Sequence, residues 1–303
     1  MNSIEFVEVS PRDGLQNESR MISTQDKLEL INRAISAGAK RIEVTSFVNP
    51  RAVPQMADAA EVSAGLPENA DVTFIGLVMN HKGAERALAT GRIDQLGAVA
   101  VASDGLGIAN QGQKSAETVA MSREVIAMAN SAGKSAQATI AASFGCPFDG
   151  EVEHRQVVAM AVELAEAGAV EIGVADTIGV GDPASVHALV SAVARAIDPL
   201  PVRVHFHNTR GTGLANVWSA IGAGASVVDA SIGGLGGCPF SPGAAGNVST
   251  EDVAFMLERA KIATGLDLPA LCETNAWLAN VMDRCLPAAV PKARPFPPEP
   301  DNS

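Results

Sequence analysis

The sequence predicts an α/β protein built as a (β/α)8 TIM barrel with extra C-terminal helices. Three observations carry that reading. A short apolar run followed by an amphipathic stretch recurs eight times along the 303 residues. Several helix-like stretches end in Ala-Gly just before the next apolar run, at Ala37-Gly38, Ala132-Gly133, Ala167-Gly168 and Ala223-Gly224. Glycine just past a helix supplies the left-handed cap that turns the chain back toward a strand. The first unit also lacks the glycine-rich dinucleotide motif expected of a doubly wound sheet.

In chain order, the strand-like segments are residues 4–9, 41–45, 72–78, 95–101, 135–141, 170–174, 202–206 and 226–230. They are short apolar runs, and the seventh is β-branched or aromatic at Val202, Val204 and Phe206 with Pro201 ahead of it. The intervening stretches 24–37, 52–64, 81–90, 115–132, 153–167, 183–196, 213–223 and 249–264 are amphipathic and read as helices. Residues 266–286 read as one or two further helices packed on the barrel. Residues 1–286 are thus expected to form one barrel domain. The segment 287–303, with prolines at 287, 291, 295, 297, 298 and 300, is expected to be an extended or disordered tail.

Composition narrows the function. The chain is 47% hydrophobic and 18% charged, with 28 glycines and a net charge of -12. An acidic surface argues against binding to nucleic acid or an anionic membrane, and an anionic substrate then needs a local cluster of cations. The four cysteines show no C-x-x-C pair, so a reducing cytoplasm is expected. No signal peptide and no membrane-length apolar run is read. A homo-oligomer is left open.

The chemistry is expected at the C-terminal ends of the strands. On the seventh strand His205 and His207 stand two residues apart, so their rings project from one face and are close enough to share a metal ion. The first strand runs into Arg12-Asp13, a local salt bridge or a cation and anion at the mouth. Glu43 lies inside the second strand, where a carboxylate is costly unless paired, and Arg12 is a candidate partner. Asp176 follows the sixth strand as a helix cap or an orienting carboxylate. The stretch 231–247 holds six glycines, Cys238 and Asn247. Such a stretch is mobile enough to fold over a site. Cys238 reads either as an inert buried thiol or as a candidate acid or nucleophile, and Asn247 offers an amide oxygen. Asp13, His205, His207 and Asn247 leave about two open positions in an octahedral shell, a donor set suited to Mg2+ or Mn2+ rather than structural zinc.

The stretches Val7-Glu8-Val9-Ser10-Pro11-Arg12-Asp13-Gly14-Leu15-Gln16-Asn17-Glu18, Ile42-Glu43-Val44-Thr45-Ser46-Phe47-Val48, Val53-Pro54-Gln55-Met56, Gly145-Cys146-Pro147-Phe148, Asp176-Thr177-Ile178-Gly179 and Gly234-Leu235-Gly236-Gly237-Cys238-Pro239-Phe240 through Gly246-Asn247 resemble the 3-hydroxy-3-methylglutaryl-CoA lyase family. That family lies within the metal-dependent lyase and Claisen-synthase barrels. The resemblance implies an acyl-CoA substrate cleaved to acetyl-CoA and a keto acid, which is acetoacetate for the family substrate. It also implies roles. Asp13, His205, His207 and Asn247 bind the divalent cation, Arg12 stabilises the enolate oxygen, and Glu43 orients Arg12. Asp176 helps place the substrate, and Cys238 protonates the enolate.

Two departures bear on the acyl group. The family continues the second histidine with Asp-Thr-Tyr-Gly, where this chain has Asn208-Thr209-Arg210-Gly211. Ser103-Asp104-Gly105-Leu106 replaces the family's Ser-Glu-x-Phe. Arg210 is either a surface ion-pair residue or a shifted anion site that, with Arg12 and Gln16, binds a shorter malyl- or citramalyl-like thioester. A Claisen condensing synthase is the neighbouring alternative. Those enzymes tend to carry Glu after Arg-Asp-Gly, where this chain has Leu15, and lack the cysteine loop. A non-catalytic metal-binding barrel would not need Arg12, Glu43 and Cys238 together.

Overall fold

Eight parallel strands pair in chain order and close on themselves, β1 to β2 through β8 and back to β1. The computed structural model describes residues 2–68, 71–237, 246–294 and 296. The strands are β1 (Glu5–Glu8), β2 (Arg41–Ser46), β3 (Thr73–Val78), β4 (Gln95–Val101), β5 (Ser135–Ala141), β6 (Ile172–Asp176), β7 (Val202–Phe206) and β8 (Val227–Ala230). The helices are α1 (Thr24–Ser36), α2 (Ala59–Ala64), α3 (His81–Ala89), α4 (Asp104–Gln111), α5 (Ser115–Ser131), α6 (His154–Glu166), α7 (Pro183–Ile197), α8 (Gly213–Gly222), α9 (Thr250–Arg259) and α10 (Leu268–Met282). None of them is long and apolar enough to cross a membrane.

The outward strand faces bury Phe6, Ile42, Phe74, Leu96, Val204 and Phe206 against helix residues such as Leu30, Ile126, Leu164 and Val190 in one aliphatic core. The inward faces are different. Val7, Val9, Ile75 and Val227 form a separate small apolar cluster. Much of the rest of the barrel interior is polar and buried, with Gln95, Gln137, Glu171, Arg203 and Asp229 all at or below 5% exposure. Barrel interiors are ordinarily filled by branched apolar side chains.

Four expectations are corrected. The helix read over 52–64 is a 3-10 turn at Pro54–Met56 followed by the short α2. Pro54 lacks an N–H and pushes Val53 out of the helical region (φ −130°, ψ 80°). The last barrel helix stops at Arg259 rather than 264, because Lys261 takes a left-handed conformation with φ 60°. The strand read over 170–174 lies two residues later, which makes Asp176 its last residue. The tail does not leave the barrel at Pro287. Ala288 N–H donates to Gly233 O at 3.0 Å, and the N–H groups of Ala289 and Val290 donate to the Asp252 carboxylate. Elements not anticipated include α4 and a π-helical turn at Ser10–Gly14.

Candidate active site

The π-helical turn sets the geometry of the mouth. The N–H groups of Asp13 and Gly14 both donate to Val9 O, at 2.8 and 3.1 Å. This wide turn places Arg12 and Asp13 side by side over the end of β1, and such bulges are frequent at functional sites. Arg12 Nη1 lies 2.5 Å from Asp13 Oδ1, and its Nε donates to Glu43. Glu43 comes from β2 at a register shift between Glu43 and Thr45, a local bulge that re-aims a strand residue. The expected pairing of Arg12 with Glu43 is therefore present, and Asp13 joins it.

β7 ends at Phe206. His207 then forms an antiparallel bridge with Asn247, and Val248 N–H donates to Phe206 O at 3.1 Å. The segment after residue 245 thus returns beside the seventh strand and delivers Asn247. The His205 and His207 ring centroids are 5.3 Å apart. Ligand atoms of Asp13, His205 and His207 all lie within 4.8 Å of one another. The Asn247 amide donates its Nδ2 to Asp13 Oδ2 at 2.7 Å and to Leu235 O at 3.0 Å. Its Oδ1 is buried without a hydrogen-bond partner among the described residues, and so is His207 Nδ1. Buried polar atoms are rarely left unpaired. Two unpartnered polar atoms beside a carboxylate and a second imidazole fit a site for a divalent cation with N and O ligands.

Glycine permits this approach. A Cβ on Gly236, whose φ is +114°, would lie 2.2 Å from Asn247 Nδ2, and one on Gly246 would lie 2.0 Å from Gly236 O. The two glycines let the two ends of the loop cross in contact.

Charge states suit ligation. Burial alone would raise the Asp13 carboxyl, but Arg12, His205 and His207 beside it hold it well below the usual carboxylate range. Burial and then the neighbouring His205 push the His207 imidazole down to about 4, so the ring is neutral near pH 7. Burial likewise raises the Glu43 carboxyl, with Arg12 opposing.

These groups edge a cavity of about 280 Å3. Arg12, Asp13, Gln16, Glu43, His205 and His207 line it, together with Thr139, Thr177, Arg203 and Asp229. β3, β4 and α4 contribute Leu77, Met79, Val99, Leu106 and Asn110 to its wall. Two of the residues expected here stand elsewhere. Asp176 is fully buried and its carboxylate accepts from the N–H groups of Val180 (3.0 Å) and Gly181 (2.8 Å), so it caps the loop after β6. Arg210 is exposed and donates Nη1 to Ile178 O (2.7 Å) and Gly179 O (3.1 Å), outside the cavity lining. Arg210 was read as a surface ion-pair residue or a shifted anion site; its Nη1 bonds two backbone carbonyls. Cys238 lies outside the described residues.

Sequence reasoning missed Arg203 and Asp229. Arg203 sits two residues before His205, on the same strand face, and the same period that paired the histidines could have found it. Asp229, a charge inside the otherwise apolar Val227-Val228-Asp229-Ala230, is a signal of the same kind.

Fold and mouth together define a (β/α)8 enzyme with a candidate metal centre of Asp, two His and an Asn amide at the C-terminal ends of its strands. An HMGL-like family model matches residues 3–278. The chain belongs to this HMGL-like family of carbon–carbon lyases acting on acyl-CoA. It is 40% identical to the (R)-citramalyl-CoA lyase of Chloroflexus aurantiacus, over 99% of this chain and 97% of that one. It is also similar to the crystal structure of the Bacillus subtilis HMG-CoA lyase, with a TM-score of 0.93 and 37% identity over 96% of this chain and 98% of that one. An HMG-CoA lyase from Acinetobacter baumannii, solved with coenzyme A and 3-methylmalate, superposes with a TM-score of 0.92 at 38% identity, covering 99% and 97% of the two chains.

Proposed function

We propose that the chain is a divalent-metal-dependent lyase that cleaves a 3-hydroxy-3-methylacyl-CoA to acetyl-CoA and a keto acid, with 3-hydroxy-3-methylglutaryl-CoA as the family example. The observation that carries this reading is the convergence of Asp13, His205 and His207 on a cavity that Arg12 also lines, with Asn247 bonded to Asp13 and its Oδ1 unpartnered among the described residues. Asp13, His205, His207 and Asn247 would hold Mg2+ or Mn2+, which would supply Lewis acidity to the substrate's tertiary hydroxyl. Arg12, held between two carboxylates, presents preorganised N–H donors where negative charge develops on the thioester oxygen as the carbon–carbon bond breaks. Glu43 fixes the direction of that guanidinium. Gln16 is assigned to the thioester arm, and Asp176 acts through the loop that carries Thr177 into the cavity wall. Cys238 is assigned as the acid that delivers a proton to the enolate carbon, which becomes the methyl group of acetyl-CoA.

The same cavity favours a second reading for the acyl group. Among the described lining residues the cations are Arg12 and Arg203, and each is already paired with two carboxylates. β3 and β4 stand across the barrel from β7 and β8, and the wall they present is largely apolar. A carboxylate far along the acyl chain finds no free cation among these residues. A shorter, citramalyl-like group carries its carboxylate on the hydroxyl carbon itself, next to the metal ligands. The similarity to the citramalyl-CoA lyase supports this reading. The test is kcat/KM for 3-hydroxy-3-methylglutaryl-CoA and for citramalyl-CoA, measured side by side. A higher value for the latter favours the shorter acyl group. No acetyl-CoA from either overturns the proposal.

A further inference from the structure

His205 Nδ1 lies 3.1 Å from Asp229 Oδ2, while its Nε2 lies 3.8 Å from Asp13 Oδ2 in the ligand cluster. The same Asp229 Oδ2 accepts a hydrogen bond from Arg203 Nη1. Arg203 is held at its other nitrogens, with Nε 2.7 Å from Glu171 Oε1 and Nη2 2.7 Å from Thr139 Oγ1. Glu171 in turn takes Arg41 Nη1 at 2.8 Å, and Arg41 Nη2 donates to Gln137 at 2.9 Å. A ladder of alternating charge therefore crosses the barrel interior from β2 to β8 and ends on a candidate metal ligand. Arg203 and Asp229 are only 2% and 4% exposed. Burying such a pair costs desolvation that apolar residues of similar volume avoid, so packing does not account for it.

We infer that Asp229, clamped by Arg203, is a positioning residue that keeps the proton on His205 Nδ1 and so presents the Nε2 lone pair to the metal site. A fixed acceptor on one ring nitrogen decides which nitrogen is free to ligate. Arg203 steadies that acceptor: its planar fork is committed to Asp229, Glu171 and Thr139, so the Oδ2 that faces His205 is held in place. The inference rests on the metal reading for its consequence, but the tautomer itself does not.

The test has two arms. In the first, 15N chemical shifts of His205 are recorded in metal-free, histidine-labelled protein at a pH where the ring is neutral. The Nδ1–H tautomer is expected, and the Nε2–H tautomer overturns the inference without reference to metal or to activity. In the second, Mn2+ affinity is titrated by EPR. Asp229→Asn and Arg203→Lys should weaken binding by about 10–100-fold and about 10-fold, the range for outer-sphere partners of a ligating histidine. Arg41→Lys disturbs the same ladder away from His205, so it should lower thermal stability yet leave Mn2+ affinity within about twofold. Wild-type affinity in Asp229→Asn, or an equal loss in Arg41→Lys, overturns the positioning role. If the Asp229 variant fails to fold, Arg203→Lys and the wild-type tautomer still decide. A wild-type chain that binds no Mn2+ but shows the Nδ1–H tautomer sinks the metal reading and leaves the clamp standing.

Discussion

Asn247 Nδ2 lies 2.7 Å from Asp13 Oδ2, joining two residues 234 positions apart in the chain. With the donor face engaged there, the other face of the amide, Oδ1, is buried with no partner among the described residues. The donor half of the side chain is spent on positioning, and the acceptor half is the one the proposed cation would use.

Asn247→Ala should therefore weaken Mn2+ binding by at least the ~10–100-fold seen for outer-sphere partners, because it removes a ligand and frees Asp13 together. Asn247→Asp places a second carboxylate beside Asp13 and should shift metal preference rather than abolish binding. Calorimetric titration with Mg2+ and Mn2+ reads both. Unchanged affinity in the alanine variant would remove Asn247 from the ligand set.

Arg12→Lys tests the pairing with Glu43 and Asp13. A lysine keeps the charge but cannot fork between two carboxylates. Its kcat should fall by about 10²-fold with little change in KM, since the lost donors act on charge that develops only during bond cleavage. A rise in KM alone would make Arg12 a substrate-binding group.

Cys238→Ala should slow turnover strongly while leaving the metal content and the melting temperature as they are. An alkylating reagent should inactivate the wild type, with substrate protecting. Normal turnover in the variant would assign the proton to another group.

Stability should depend on Glu251. Its carboxylate accepts from Gly233 N–H at 2.9 Å and from Asn275 Nδ2 at 2.9 Å, and burial pushes its pKa up to about 8 from an ordinary value of 4.5. The folded chain keeps a proton that the unfolded chain releases. The contribution is present in full below pH 4.5 and is lost as pH rises toward and through 8. The melting temperature should fall over that window, and Glu251→Gln should flatten the fall. Parallel pH profiles for both proteins would show that the group is not the source.

The barrel and the His205/His207 pair were legible because each rests on local periodicity. Alternation on β7 paired His205 with His207, and Ala-Gly turns marked where helices hand over to strands. α4 was illegible because Gly105 and Gly107 weaken its helical signal, and Asp104 together with Asp149 holds the segment by contacts outside the helix. The turn at Ser10–Gly14 was illegible because π-helical bonding has no sequence period. Asp176 and Arg210 were placed by position along a strand end, and position does not say which way a loop residue turns. Asp176 turned to Val180 and Gly181, and Arg210 turned to Ile178 and Gly179. Arg203 and Asp229 each carried a signal as a charge on an inward strand face, but their pairing is visible only once β7 and β8 lie side by side.

The most direct measurement gives the purified protein a 3-hydroxy-3-methylacyl-CoA thioester and quantifies acetyl-CoA against keto acid, with EDTA and then with Mg2+ or Mn2+ restored. The expected result is the two products in equal amounts, no turnover in EDTA, recovery with either ion, and a loss of about 10²-fold or more in His207→Ala. Full activity in EDTA, or a His207→Ala variant as fast as the wild type, would contradict it.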